Sequence, residues 1–159
     1  MEQNKLCKLN KGSHTLSMSI LMTPEKANFS GNIHGGFLLK HLDEIAYACA
    51  SQYCGNYVVT LSVDKVLFKN PIYIGELVTF LASVNYTGDT SMEIGIKVMA
   101  KNIRKCTVRH TNTCFFTMVA LDEKGKPTKV PPLKPKKKKE KKRYEKAKLR
   151  RELRIKNEI

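Results

Sequence analysis

The feature that most limits what this chain can fold into is one change of hydrophobic period. From about Gly36 to about Tyr53 the apolar residues recur at helical spacing. Leu38, Leu42, Ile45 and Cys49 form a single stripe there. Around this one helix the sequence alternates with a period of two. His14 to Met22 places Leu16, Met18, Ile20 and Met22 on one side, and Thr60 to Phe68 is strand-like. Leu77 to Tyr86 sets Val78, Phe80, Ala82, Val84 and Tyr86 on one face, and Thr87-Gly88-Asp89 reads as a hairpin turn. Met92, Ile94, Ile96, Val98 and Ala100 give the cleanest alternation, and Cys106 to Leu121 is a further long strand. One long helix among four or five long, mostly antiparallel strands predicts an α+β fold in which a sheet wraps a single buried helix.

A length of 159 residues suits one domain with a substantial core. The pattern divides it into an N-terminal extension (1–11), the α+β domain (12–129) and a tail (130–159). The tail opens with Val130-Pro131-Pro132-Leu133-Lys134-Pro135, a stiff linker. Beyond it the chain is helix-prone but polar on most faces. From Lys134 onward fourteen Lys/Arg face four Asp/Glu, so +10 of the total +15 belongs to the tail. Such a segment reads first as solvated. With Tyr144 as its only aromatic it lacks the stacking residues of a nucleic-acid module, so nucleic acid is not an expected partner.

Five cysteines (Cys7, Cys49, Cys54, Cys106, Cys114) form no C-x-x-C pair, and no secretory signal is evident. The expectation is a reducing cytoplasm with free thiols, Cys49 and Cys114 lying in the core. No apolar run approaches the roughly 18 residues of a membrane span. His14, His34, His41 and His110 form no ligand ladder, so neither a metal nor a cofactor is expected.

The chemistry concentrates at Asn32-Ile33-His34-Gly35-Gly36 and the helix that follows. A helix opening at two glycines presents free backbone N–H groups, which polarise a carbonyl placed above them. Glu44 shares a polar edge with Lys40 and Ser51 and reads as a solvated charge. Asp43 has Leu39, Ala46, Tyr47 and Ala50 at helical spacing, a setting that penalises a carboxylate unless something uses it. It either pairs with a distant basic residue or acts chemically. Asn32 is either a turn residue or a holder of water or a carbonyl, and His34 is adjacent.

These residues resemble a family. Gly31-Asn32-Ile33-His34-Gly35-Gly36 followed by Leu42-Asp43-Glu44 is similar to the hotdog-fold acyl-CoA thioesterases, in their cytosolic acyl-CoA hydrolase (YciA-like) branch. Val63 to Glu76, with its Pro71-Ile72-Tyr73-Ile74-Gly75 turn, and Gly88-Asp89-Thr90-Ser91-Met92 resemble two further motifs of that family in the same order. Phe115 to Val119, Gly125-Lys126-Pro127 and Val130-Pro131 resemble its last strand and exit, so the likeness spans about Leu16 to Pro131. The resemblance implies a curved antiparallel sheet around one helix, dimers paired edge to edge, and hexamers of such dimers. It implies a site at the dimer interface, with Asn32 from one subunit, Asp43 from the other, and Gly35 and Gly36 as backbone oxyanion donors. Asp43 would then activate water or attack the thioester directly. The coenzyme A part of the substrate carries phosphates, for which Gly88, Thr90, Ser91, Lys65 and Lys69 are candidates; Asp89 departs from a phosphate-friendly hairpin. Two other readings stay open. A dehydratase of the same fold would use His34 as base, and a non-catalytic acyl-CoA or nucleic-acid module would use the basic tail.

Overall fold

The computed structural model describes residues 12–157. The expected extension 1–11, with Cys7, lies outside the described residues. Five strands form one antiparallel sheet in the order β1-β3-β4-β5-β2. They are β1 (Thr15–Leu21), β2 (Tyr57–Val63), β3 (Glu76–Thr87), β4 (Ser91–Asn102) and β5 (Thr107–Leu121). Helix α1 (Gly35–Cys54) packs on one face and helix α2 (Lys138–Asn157) on the other.

The alternation read from the sequence decides which face is which. Val78, Phe80, Ala82 and Val84 of β3 point to α1 together with Met92, Ile94, Ile96, Val98 and Ala100 of β4 and Cys114, Phe116, Met118 and Ala120 of β5. They enclose Leu38, Leu42, Ile45 and Cys49, so the predicted stripe is the core. Burial pushes the thiols of Cys49 and Cys114 up to about 12, which leaves them protonated and inert. Gly55 ends α1 in the left-handed region (φ +75°), returning its N–H to Ser51 O at 2.8 Å.

Two expected strands come out differently. The pairing register slips between Val84 and Tyr86, so Tyr86 leaves the inner face that strict alternation assigns to it. The expected strand over 60–68 instead runs from Tyr57 to Val63. Beyond it Asp64 N–H reaches Phe115 O at 2.9 Å and Lys69 N–H reaches Thr111 O at 3.4 Å, contacts too sparse for a ladder.

The tail is not simply solvated. Linker residues are pinned by Val130 N–H to Asp89 O (2.9 Å), Leu133 N–H to Thr87 Oγ1 (2.9 Å) and Tyr53 O–H to Pro131 O (3.1 Å). Glu140 accepts the N–H groups of Lys137 and Lys136, which hold its carboxyl below the usual carboxylate range. Helix α2 then covers the outer face, where Ser83, Asn85 and Glu93 are buried. Arg150 donates two hydrogen bonds to Glu93 (2.6 and 3.1 Å) and stacks 3.7 Å over the Phe115 ring. Arg154 bridges Asp64 (2.8 Å) and Glu93 (3.4 Å), and Arg143 reaches Ser83 Oγ at 3.1 Å. Gly95 permits this polar floor: a β-carbon there would stand 2.2 Å from Asn85 Nδ2.

Candidate active site

Helix α1 begins under a small loop hairpin. Ala27 pairs with Ile33, Asn28 N–H meets Asn32 O at 2.6 Å, and Gly31 turns the loop at φ +76°. Ile33 N–H to Ile72 O (2.8 Å) and the Asn32–Tyr73 bridge tie this loop to the Pro71–Gly75 turn. Two distant sequence motifs therefore form one platform.

The helix start is not as open as the glycine pair predicts. His34 is the N-cap, and its Nδ1 accepts the Gly36 N–H at 3.0 Å. A backbone donor at Nδ1 requires the ring to be unprotonated there. Of the two glycines, Gly35 keeps an N–H without an acceptor among the described residues, beside the Phe68 ring.

Asn32 is half-buried, and its backbone is engaged on both sides. The side chain the loop actually orients is Asn28. Its Oδ1 accepts from Ser30 N–H (2.9 Å) and Asn32 N–H (3.2 Å), an arrangement that aims the exposed amide NH2 outward as a fixed donor. Composition alone marks Asn28 as loop. The signal that finds it is the Asx-turn spacing Asn28-Phe29-Ser30 ahead of Gly31.

Asp43 is also placed differently from its helical neighbourhood. Ala46 and Ala50 turn into the core, Leu39 and Tyr47 are each 41% exposed, and Asp43 is exposed with them. It accepts a 2.6 Å hydrogen bond from Thr60 Oγ1 of β2. Thr60 has no distinguishing sequence signal; only the tertiary pairing of β2 with α1 reveals it. Glu44 is a surface residue, as read, taking Lys40 at 3.8 Å and His41 at 2.7 Å.

Large apolar residues are exposed on α1 and β2: Leu39 and Tyr47 at helical spacing from Asp43, Tyr57 with its ring 6.0 Å from that of Tyr47, and Leu61 and Val63 further along β2. Among the described residues strand β2 pairs only with β5, which leaves its other edge without a partner strand there. An open edge beside exposed large apolar residues has the character of a pairing surface. Geometry asks for one. Gly35 and Asp43 are eight residues apart, about 12 Å along a helix axis, too far for both to serve one carbonyl.

The candidates for the phosphates separate. Gly88, Thr90 and Ser91 share the β3–β4 hairpin, closed by Gly88 N–H to Ser91 O at 2.8 Å. Ser91 pairs across to Val119, whereas Lys69 lies against Thr111, about 25 Å away along β5. Lys65 is exposed beside Asp64. Within one chain neither lysine joins the hairpin. Among the described residues no cluster of His, Cys, Asp and Glu could hold a metal ion, and no helix is long and apolar enough to cross a membrane.

Known proteins share this fold and much of this sequence. A thioesterase superfamily model matches residues 30–107. Protein VdlD of Helicobacter pylori is 52% identical over 139 residues, covering 87% of this chain and 79% of the relative. The cytosolic acyl coenzyme A thioester hydrolase of Rattus norvegicus is 35% identical over 147 residues, covering 88% of this chain and 39% of that protein. A hexameric acyl-CoA thioesterase superposes with a TM-score of 0.88 at 36% identity, over 92% of this chain and 95% of the other. An acyl-CoA hydrolase from Staphylococcus aureus, solved with butyryl coenzyme A and coenzyme A, gives 0.85 at 32% identity over 93% and 91%. That enzyme has also been solved with alanine replacing an aspartate, an asparagine and a threonine. Their spacing in its chain equals that of Asn28, Asp43 and Thr60 in this one.

Proposed function

The chain belongs to the hotdog-fold acyl-CoA thioesterases, and from that premise we propose that it hydrolyses acyl-CoA at a site completed by two subunits. The observation that carries this reading is Asp43, exposed in an apolar patch, held by Thr60 and about 12 Å from the helix start it must work with. Pairing two chains through the open edge of β2 buries that patch and brings Asp43 of one chain toward the Asn28–Gly35 turn of the other. Enclosure in the dimer then keeps bulk water away from the carboxylate and the thioester.

The thioester carbonyl rests against the start of α1. As its carbon is attacked, negative charge grows on the oxygen and is met by the Gly35 N–H and the aligned helix dipole, a donor of this kind contributing on the order of 3 kcal/mol. Gly36 joins only when the His34 ring leaves the cap. The same cap engagement of Nδ1 weighs against the dehydratase reading, which needs His34 as a base. Asp43 takes a proton from water as it attacks, or attacks itself to give an anhydride that water then opens; both routes expel the coenzyme A thiolate. Thr60 fixes the Asp43 rotamer, and the Asn28 amide donates to the carbonyl or orients the water. Asn32 supports the loop that holds Asn28. No cofactor is needed, coenzyme A being part of the substrate. The unit is a dimer that assembles further, as a hexamer by analogy with the hexameric relatives, and it works in the cytoplasm.

Subunit mixing tests the reading. Asp43→Ala and Asn28→Ala homodimers each lose at least about 100-fold in kcat, monitored as free thiol release. Mixed after dissociation, they regain about a quarter of wild-type activity, because half the dimers are hybrids with one intact site each. No thiol release by wild type at any chain length from acetyl to palmitoyl sinks the enzyme reading. Inactive mixtures sink the shared site.

A further inference from the structure

Helix α2 also borders a pocket remote from the start of α1. A cavity of about 170 Å³ lies between the hairpin, β2 and α2, lined by Ser62, Tyr86, Ser91, Thr117, Arg151 and Arg154. The arginines on this side of α2 are not equivalent. Arg150 and Arg154 are neutralised by Glu93 and Asp64, which also accounts for Glu93, the carboxylate at the cavity wall. Arg151 forms no ion pair with any carboxylate among the described residues; its guanidinium sits 5.9 Å from the Tyr86 ring. It lies along the hairpin: a β-carbon on Gly88 would stand 3.7 Å from Arg151 Nε and Nη2 and 3.2 Å from Ser91 Oγ. Gly88 thus keeps open a gap that any side chain would narrow.

A second observation points to a polar occupant. Thr117 lines the cavity, and its buried Oγ1 has no hydrogen-bond partner among the described residues, a state that ordinarily costs about 1–3 kcal/mol. An uncompensated guanidinium, a serine hydroxyl and a partnerless threonine hydroxyl around a small space match the donor needs of a phosphate group. The hairpin carboxylate, Asp89, is exposed and makes no ion pair with Arg151.

We propose that Arg151, carried by the C-terminal helix, binds a phosphate of the coenzyme A moiety beside Ser91, so that the basic tail is part of the substrate site. This rests on the acyl-CoA hydrolase reading and extends it. The contact is to a part of the substrate that does not react, so it acts on binding rather than on the bond-breaking step.

The full chain carrying Arg151→Ala or Arg151→Lys tests it, with an acyl-CoA and the matching S-acyl-pantetheine, which lacks every phosphate. Arg151→Ala raises KM for the acyl-CoA about 10-fold while kcat stays within about two-fold, Arg151→Lys recovers part of the loss, and kcat/KM for the pantetheine thioester holds. An unmoved KM, or an equal loss on both substrates, overturns the proposal. Calorimetric titration separates it from the function reading. Coenzyme A binding that weakens about 10-fold in Arg151→Ala supports the site even if wild type hydrolyses nothing. Inorganic phosphate that binds through Arg151 while coenzyme A binding is unaffected assigns the cavity to a free anion and overturns the coenzyme A assignment.

Discussion

The two helices have equal length, lie on opposite faces of one sheet and are held by opposite chemistry. Helix α1 sets seven residues into the core, among them Leu38, Leu42, Ile45 and Cys49. Among its described residues helix α2 buries only Ala147 fully, and it is held by Arg143, Arg150 and Arg154 on Ser83, Glu93 and Asp64. Apolar burial is non-directional and scales with area, so α1 can rest on any surface of the right shape. An ion pair taken from water is favourable only where its partner and its hydrogen bonds are already in place. Helix α2 therefore fits one surface, and its docking depends on carboxylates displayed by β4 and by the segment after β2.

That contrast can be broken in steps. The largest expected effect is on α1: Leu42→Ala opens a void in the dry core and costs roughly 3–4 kcal/mol, read as a lower urea midpoint with an unchanged slope. A loss under 1 kcal/mol would mean that the α1 seam is not close-packed. Next comes Glu93→Ala, which leaves Arg150 and Arg154 facing each other over a floor without its carboxylate. Because both arginine side chains remain partly exposed (25% and 21%), about 2 kcal/mol is expected rather than the full penalty of a buried charge. Its signature is local, with amide exchange accelerating in 138–157 well ahead of 35–54. Uniform acceleration across both helices would refute a separate clamp.

The smallest effect concerns Glu76, a buried carboxylate held by a strand rather than by the tail. Burial alone raises its pKa, but the Arg109 hydrogen bonds and the Tyr73 N–H prevail and hold it below the usual carboxylate range. A carboxyl with a lower pKa folded than unfolded binds fewer protons in the folded state. Its contribution is thus complete above its ordinary value near 4.5 and is lost as pH falls through the lower folded value. Glu76→Gln is expected to flatten the acid limb of stability against pH below about 4.5 by roughly 1 kcal/mol, followed by thermal melts. A limb as steep as wild type would show that the Glu76–Arg109 pair does not set the acid sensitivity.

How much could be read beforehand follows the same division. The inner faces of β3, β4 and β5 and the α1 stripe were legible because alternation and helical spacing are local properties. Tyr86 escaped because a bulge is a matter of pairing, and Lys69 because the chain after β2 runs away from the hairpin along β5. At the site, Asp43 and the glycines stood out by residue type and spacing. Thr60 did not, since an exposed threonine in a strand looks like any other until the strand lies against the helix. Asn28 was hidden behind Asn32, four residues on, which carries the same side chain but gives its backbone to the loop.

The amino-acid sequence by itself determined a sheet around one apolar helix, a carboxylate two turns into that helix, and a family likeness built on ordered motifs. Only the tertiary structure decided that the His34 ring caps Gly36, that Asn28 is the oriented amide, that Thr60 holds Asp43, and that the basic tail is a docked helix. The physical reason is range: hydrophobic period is written in neighbouring residues, whereas a hydrogen bond or an ion pair is specified only when its distant partner arrives.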